Sequence, residues 1–231
     1  MKNTPPTSTV PNSFKEVLDA RYSCRGYLEH PVEREIISRI LQLAQRTPSW
    51  CNAQPWQVIV TSGTATERLR QALQSPEAMA ETGSDIAPPT DYCGVYKERR
   101  RECGFQLYES VGIAHGDRQS SMQQALENFK FFGAPHVAII ATETLLGTYG
   151  VLDCGAYVNN FMLAARSLGV ASIAQAAIAM RSKFLHEWFK IPAQRQVVCG
   201  ISFGYEDVAH RANGFRTTRA PIEQVVQWMD A

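Results

Sequence analysis

The sequence predicts an α+β fold, and three observations carry that class. Apolar residues recur at helical spacing through Val32, Ile36, Ile37, Ile40, Leu41 and Ala44. Short runs of strand character stand apart from them at Val58-Ile59-Val60, His136 to Ile140 and Val197 to Ser202. The two kinds of segment interleave without a strict strand-helix-strand rhythm, which argues against a regular doubly wound sheet. A chain of 231 residues suits one domain with a sizeable core.

Residues 1–12, rich in Pro, Thr, Ser and Asn, have little to bury and are expected to form a mobile tail, with the domain spanning 13–231. Ser13 can cap a short helix that carries Phe14, Val17 and Leu18 on one face. Pro31 opens the second helix and Pro48 ends it. Trp56 to Thr61 reads as a strand buried on both faces, and Ser62-Gly63-Thr64 turns it into a helix with Leu69 and Leu73. Between Ser75 and Gly94, Pro, Gly, Thr and Asp suggest a surface loop or lid over 75–94. Lys97 to Glu102 reads as a solvated helix face; the alternative is a contact with the anionic part of a nicotinamide donor.

Ser120 or Ser121 opens a helix through Met122, Leu126, Phe129 and Phe132, and Gly133-Ala134-Pro135 leads into the His136 strand. A long alanine-rich helix follows over Leu152 to Leu168, where Gly155, Ala156, Ala164 and Ala165 permit close approach by a neighbouring helix or subunit. Gly169 stops it, and strands are expected at Val170 to Ala174 and Val197 to Ser202.

Hydrophobic content of 45%, charged content of 19% and a formal charge of +1 give no reason to expect nucleic acid or an anionic membrane as partner. Six cysteines lie scattered, without a C-x-x-C pair or histidines at metal-ligand spacing, and read as reduced thiols. With no basic-then-apolar leader and no apolar run near the ~20 residues that span a bilayer, the expected compartment is the cytoplasm. Walker-type and G-x-G-x-x-G loops are missing. Gly200-Ile201-Ser202-Phe203-Gly204 imitates a nucleophile elbow but leads into Tyr205-Glu206-Asp207 rather than a helix, which disfavours a hydrolase.

Four distant runs look built for an anion or a flat polar ring: Arg21-Tyr22-Ser23-Cys24-Arg25, Pro48 to Trp56, Ala174-Gln175-Ala176-Ala177 and Arg216-Thr217-Thr218-Arg219. Guanidinium forks grip phosphate, and hydroxyls complete such a site. A planar polar ring wants amides, backbone N–H groups and an apolar wall. Each run alone has a plain reading: Arg21 and Arg25 as surface cations, Trp56 as core, Cys51 as a spectator thiol.

In order, Arg21-x-Ser23-x-Arg25, Pro48-Ser49, Asn52-Ala53-Gln54-Pro55-Trp56, Asp153 through Gly169, Gln175-Ala176-Ala177 and Val198 through Tyr205 resemble the nitroreductase family of flavin enzymes. The resemblance runs from Phe14 to Val226. Tyr96 to Tyr108 and Asn128 to Phe132 further resemble the branch that reduces nitrobenzoates and related nitroaromatics.

The resemblance implies a mixed central sheet surrounded by helices and an intertwined homodimer. It also implies one FMN at each of two subunit interfaces, with residues 205–231 reaching the partner. It places Arg21, Ser23 and Arg25, in a run that includes Tyr22, at the phosphate and ribityl or pyrimidine edge, with Arg216 and Arg219 at the phosphate. Asn52 and Gln54 come from the partner chain, Asn128 adds a polar contact, and a backbone N–H within Gln175-Ala176-Ala177 faces flavin N5. Ala174 departs from the family, where proline is common, and Trp50-Cys51 fills a variable part of the loop, so Trp50 and Cys51 are expected at the substrate pocket.

The implied reaction is ping-pong hydride transfer from NADPH or NADH through FMN to a nitroaromatic or quinone, without a dedicated catalytic side chain. The alternatives are another acceptor on the same fold (an enoate, a halogenated aromatic or oxygen) and a non-catalytic FMN-binding redox sensor.

Overall fold

The computed structural model describes residues 11, 13–81 and 83–230, so the expected tail over 1–12 lies outside the described residues apart from Pro11. Helix α1 spans Phe14–Ala20. Its start is a reciprocal cap, in which Ser13 Oγ accepts the Glu16 N–H at 3.2 Å and the Glu16 carboxylate accepts the Ser13 N–H at 3.1 Å. Only Val17 of its apolar trio is buried; Phe14 and Leu18 face outward. Helix α2 (Arg34–Ala44) keeps the expected period and buries Ile37, Ile40 and Ala44.

Strands β1 (Gln57–Ser62), β2 (His136–Glu143), β3 (Ala171–Gln175) and β4 (Arg195–Gly204) form one sheet in the order β1-β2-β4-β3, all antiparallel. Parallel pairing enters at the outer edge of β3, where Ser23 bridges Ser172. The apolar run of β2 is explained by its two faces. Val137 and Ile139 enter one core with Leu69, Leu73, Phe129 and Leu185, whereas Ala138 and Ile140 enter another with Ile40, Trp56, Tyr157 and Phe161. A bulge at Ile140/Ala141 lets Val197 and Cys199 of β4, two residues apart, serve opposite cores. Gly200 is needed here, because a Cβ would lie 2.5 Å from Ile178 Cδ1.

Strand β1 packs on both faces as expected, Val58 and Val60 against one core and Ile59 against the other, but it lies at the sheet edge, so these are only partly buried and Gln57 is exposed. Helices α3 (Thr64–Leu73) and α4 (Pro76–Ala80) follow, so 75–94 is not all loop. Ser75 caps α4, and Asp85 Oδ2 accepts the Val197 N–H at 2.7 Å, which ties the start of the following loop to the sheet.

Helix α5 (Gly94–Ser110) buries none of its residues, as a solvated charged helix should. Helix α6 (Arg118–Leu126) starts before the expected serines, because Asp117 Oδ1 caps it through the Ser120 N–H. Helix α7 runs longer than expected, over Gly147–Ser167. It buries Cys154, Tyr157, Val158 and Phe161, while Tyr149, Leu152, Gly155 and Ala156 are exposed. Helices α8 (Ala176–Ala179) and α9 (Ser182–Phe189) close the second core. Sequence reasoning missed α9.

His136 starts β2 fully inside. Its Nε2 accepts the Val32 N–H at 2.9 Å, so the proton sits on Nδ1 and is donated to Ser62 Oγ at 2.9 Å. Burial pulls its pKa below the ordinary histidine value. The unfolded chain therefore binds a proton more readily. Stability from neutral His136 is complete above about pH 6.5 and is lost as pH falls from there through the folded value. Urea unfolding below that pH is expected to show this loss, and His136→Asn to flatten it; identical pH profiles would remove His136 as the source.

Candidate functional site

Beyond α1 the chain runs extended along the edge of β3, held by the Ser23 bridge and by the Cys24 N–H donating to Ser172 O at 3.3 Å. Extension alternates side chains, so Cys24 enters the core while Arg21, Ser23 and Arg25 line a cleft. Close approach continues at Gly26, where a Cβ would lie 2.2 Å from His210 Cγ.

The other wall of the cleft comes from the far end of the sequence. Asn213, buried in the turn Arg211–Asn213, accepts the Arg25 N–H at 2.8 Å and donates to Gly26 O at 2.8 Å and Asp207 O at 2.9 Å. This single amide stitches the two basic runs together. The cleft of about 310 Å³ is lined by Arg21, Ser23, Arg25, Phe215, Arg216 and Arg219, with Tyr22, Cys103 and Asp19 also at its wall.

Charge in the cleft is unbalanced. Burial, then repulsion from Arg219, lowers the pKa of Arg21, and burial lowers that of Arg25. Among the described residues none of Arg21, Arg25, Arg216 and Arg219 has an ion-pair partner, and the Asp19 carboxylate is taken by Lys15. Half-buried cations that repel one another favour a bound anion. Arg25 is oriented by a hydrogen bond to Ser23 O at 3.2 Å and by the Phe132 and Phe215 rings, each 6.0 Å from its Cζ.

The Gln175 side chain is buried and committed internally, donating to Asn128 O at 3.0 Å and Asn128 Oδ1 at 3.1 Å while Ser202 Oγ donates to its Oε1. Asn128 also donates to Ala125 O at 2.9 Å. Both amides thus spend hydrogen bonds on each other. What the strand end presents outward is small: Ala174 and Ala176 are exposed and Ala177 is half-buried. The N–H groups of Ala176 and Ala177 open α8 and have no intrahelical acceptor.

The Asn-Gln loop lies elsewhere, against α2 and α7. Cys51, Asn52 and Gln54 hold left-handed φ values of 50°, 57° and 48°. Ser49 Oγ accepts the Gln54 N–H at 2.9 Å, Gln54 Nε2 donates to Asn52 O at 3.2 Å, and Asp153 Oδ2 accepts the Trp50 N–H at 3.1 Å. Trp50 stands edge-on to Tyr149 at 4.2 Å and is largely exposed, and Cys51 is exposed. Neither they nor Asn52 and Gln54 line the basic cleft of their own chain. Trp56 is core, stacked on Tyr157 at 4.9 Å.

Sequence reasoning found both arginine runs and missed Asn213, Phe215 and Cys103. Asn213-Gly214 carries a turn signal, but nothing local shows that the amide reaches back to Gly26. No helix among the described residues is long and apolar enough to cross a membrane.

Comparison with known proteins identifies the family. The model of the Nitroreductase family matches residues 18–205. The chain is 32% identical to a 4-nitrobenzoate reductase of Nocardioides sp., over 94% of this chain and 90% of that protein. It is 43% identical to an NADH dehydrogenase of Thermus thermophilus, over 92% and 97%. The crystal structure of the FMN-dependent nitroreductase NfnB from Mycobacterium smegmatis in complex with NADPH superposes with a TM-score of 0.88 at 30% identity, covering 94% of this chain and 97% of that one. With a match that spans most of the sequence and the fold, the chain belongs to the Nitroreductase family.

Proposed function

We propose that the protein is an FMN-dependent oxidoreductase that uses NADPH or NADH to reduce nitroaromatic or quinone-type acceptors. The observation that carries this reading is the cleft where Arg21, Ser23, Arg25, Arg216 and Arg219 converge, the Asp19 carboxylate at its wall being paired with Lys15. The fit to FMN is chemical. Unpaired guanidiniums with a hydroxyl suit a phosphate and its polyol, and the exposed alanines at the end of β3 leave room for a flat ring.

Bound FMN would supply the electron-transfer chemistry, taking two electrons from the nicotinamide donor and passing them to the acceptor. The chain's own work is binding and orientation. Arg21, Arg25, Arg216 and Arg219 would hold the anionic end, Ser23 would offer a hydroxyl, and the N–H groups of Ala176 and Ala177 would supply partial positive charge to the ring. No side chain in the cleft is required as an acid or base.

A second copy of the chain completes the site in this reading. The exposed face of α7, with Tyr149, Leu152, Gly155 and Ala156, supports a helix-to-helix interface, and Trp228 and Met229 of the C-terminal segment are also bare. The partner's loop would then bring Asn52 and Gln54 to the ring, and Trp50 and Cys51 to the acceptor pocket. We place residues 13–231 in one domain and the protein in the cytoplasm. Purified protein is expected to be dimeric, to carry flavin absorbance, to bleach with NADPH or NADH without oxygen, and to recover colour on addition of 4-nitrobenzoate. Failure to bind added FMN would overturn the proposal.

A further inference from the structure

Arg216 is an exposed arginine on a segment with little regular structure, where such a side chain normally samples many rotamers. Here it is fixed. Its Cζ lies 3.5 Å from the centroid of the Tyr22 ring, and its Nη1 donates to Asn213 O at 2.7 Å and Phe215 O at 2.8 Å. Among the described residues its Nη2 and Nε have no hydrogen-bond partner, and it lines the cleft wall.

The Tyr22 ring is held in turn from the core. Its hydroxyl donates to Glu206 Oε2 at 2.5 Å, and the other oxygen of that carboxylate accepts from Arg166 Nη1 at 3.1 Å. The Glu206 and Arg166 side chains are each only 13% exposed. Arg166 sits in the last turn of α7 and Glu206 just past β4, so the chain of contacts begins on two rigid elements. Burial, then the bond to Glu206, pushes the phenol pKa well up, so the hydroxyl stays a donor. A buried ion pair contributes little stability for its cost, and its better use is to fix a geometry.

We propose that Tyr22 is a positioning residue: anchored by Glu206 and Arg166, its ring aims the Arg216 guanidinium at the phosphate of the cofactor. Tyr22 therefore acts through Arg216, beside its own place at the cleft wall. The inference rests on the FMN reading of the cleft.

The test is a double-mutant cycle read by flavin fluorescence, with FMN and riboflavin as probes, because riboflavin lacks only the phosphate. Arg216→Ala and Tyr22→Leu are each expected to weaken FMN by about tenfold or more while riboflavin changes little. The double variant should bind FMN no worse than the weaker single variant. Tyr22→Phe keeps the ring and loses its anchor, so a smaller FMN-specific loss is expected. That variant also keeps the test decisive should Tyr22→Leu fail to melt cooperatively.

Losses that multiply in the double variant, or equal losses of FMN and riboflavin in the Tyr22 variants, overturn the inference. So does unchanged FMN affinity in Arg216→Ala when Arg21→Ala weakens it. An absence of FMN-specific loss in both arginine variants overturns the site reading, and this inference with it.

Discussion

Replacing Arg21 or Arg219 with alanine is expected to weaken FMN binding by about 2 to 3 kcal/mol, the scale of a charge-assisted phosphate contact. Arg21 is half-buried and is destabilised as a cation first by burial and then by Arg219, so the protein without cofactor gains nothing from having both. The expected signature is asymmetric: Arg219→Ala leaves the melting point of the cofactor-free protein unchanged or slightly raised while FMN affinity falls. Lysine at either position keeps the charge and loses the planar fork, so a partial loss is expected. Fluorescence titration at two salt concentrations checks this, since part of the contact is screened. FMN affinity equal to that of the unmodified protein in both alanine variants would remove these residues from the site.

Asn213→Ala is expected to cost about 2 to 4 kcal/mol of folding stability, because it removes three hydrogen bonds and strands the Arg25 N–H, while Gly26 O and Asp207 O keep the Asp207 and His210 N–H groups as donors. The change touches no cleft-lining side chain. It nevertheless releases the turn that carries Phe215 and Arg216, so FMN affinity should fall together with stability. Asn213→Asp restores the acceptor for Arg25 but removes both donors and buries a charge, and should not rescue. Urea denaturation measures the first effect, and protease sensitivity after residue 213 reports undocking of the C-terminal segment. A loss within about 0.5 kcal/mol, as at an ordinary surface site, would show that the amide is dispensable.

Segments governed by their own periodicity were legible in the sequence. The helical stripe of α2, the apolar run of β2 and the cap at Ser13 are local patterns, and the structure keeps them. β1 reads the same as a central strand because its apolar run is similar; its edge position follows from strand order, which periodicity does not encode. Helix α6 begins at an aspartate rather than a serine because Asp117 reaches the Ser120 N–H first.

At the site, the two arginine runs were visible as chemistry, and the fold brings them together. Gln175 and Asn128 looked equally available, yet they are 47 residues apart in sequence and bonded to each other. Asn213 was invisible for the same reason: its meaning lies in partners near residue 26, and only the folded chain supplies them.

The left-handed backbone at Cys51, Asn52 and Gln54 carries a consequence for anyone who would toughen this protein. L-residues held there cost about 1 to 2 kcal/mol each, and glycine would be more comfortable. A thermostabilising redesign would therefore be drawn to these positions first. The bent peptide is held taut by Ser49 and Gln45, so it arrives pre-shaped with its side chains displayed. Smoothing it would give a sturdier subunit that had forfeited the shape in which Trp50, Cys51 and Asn52 now stand exposed.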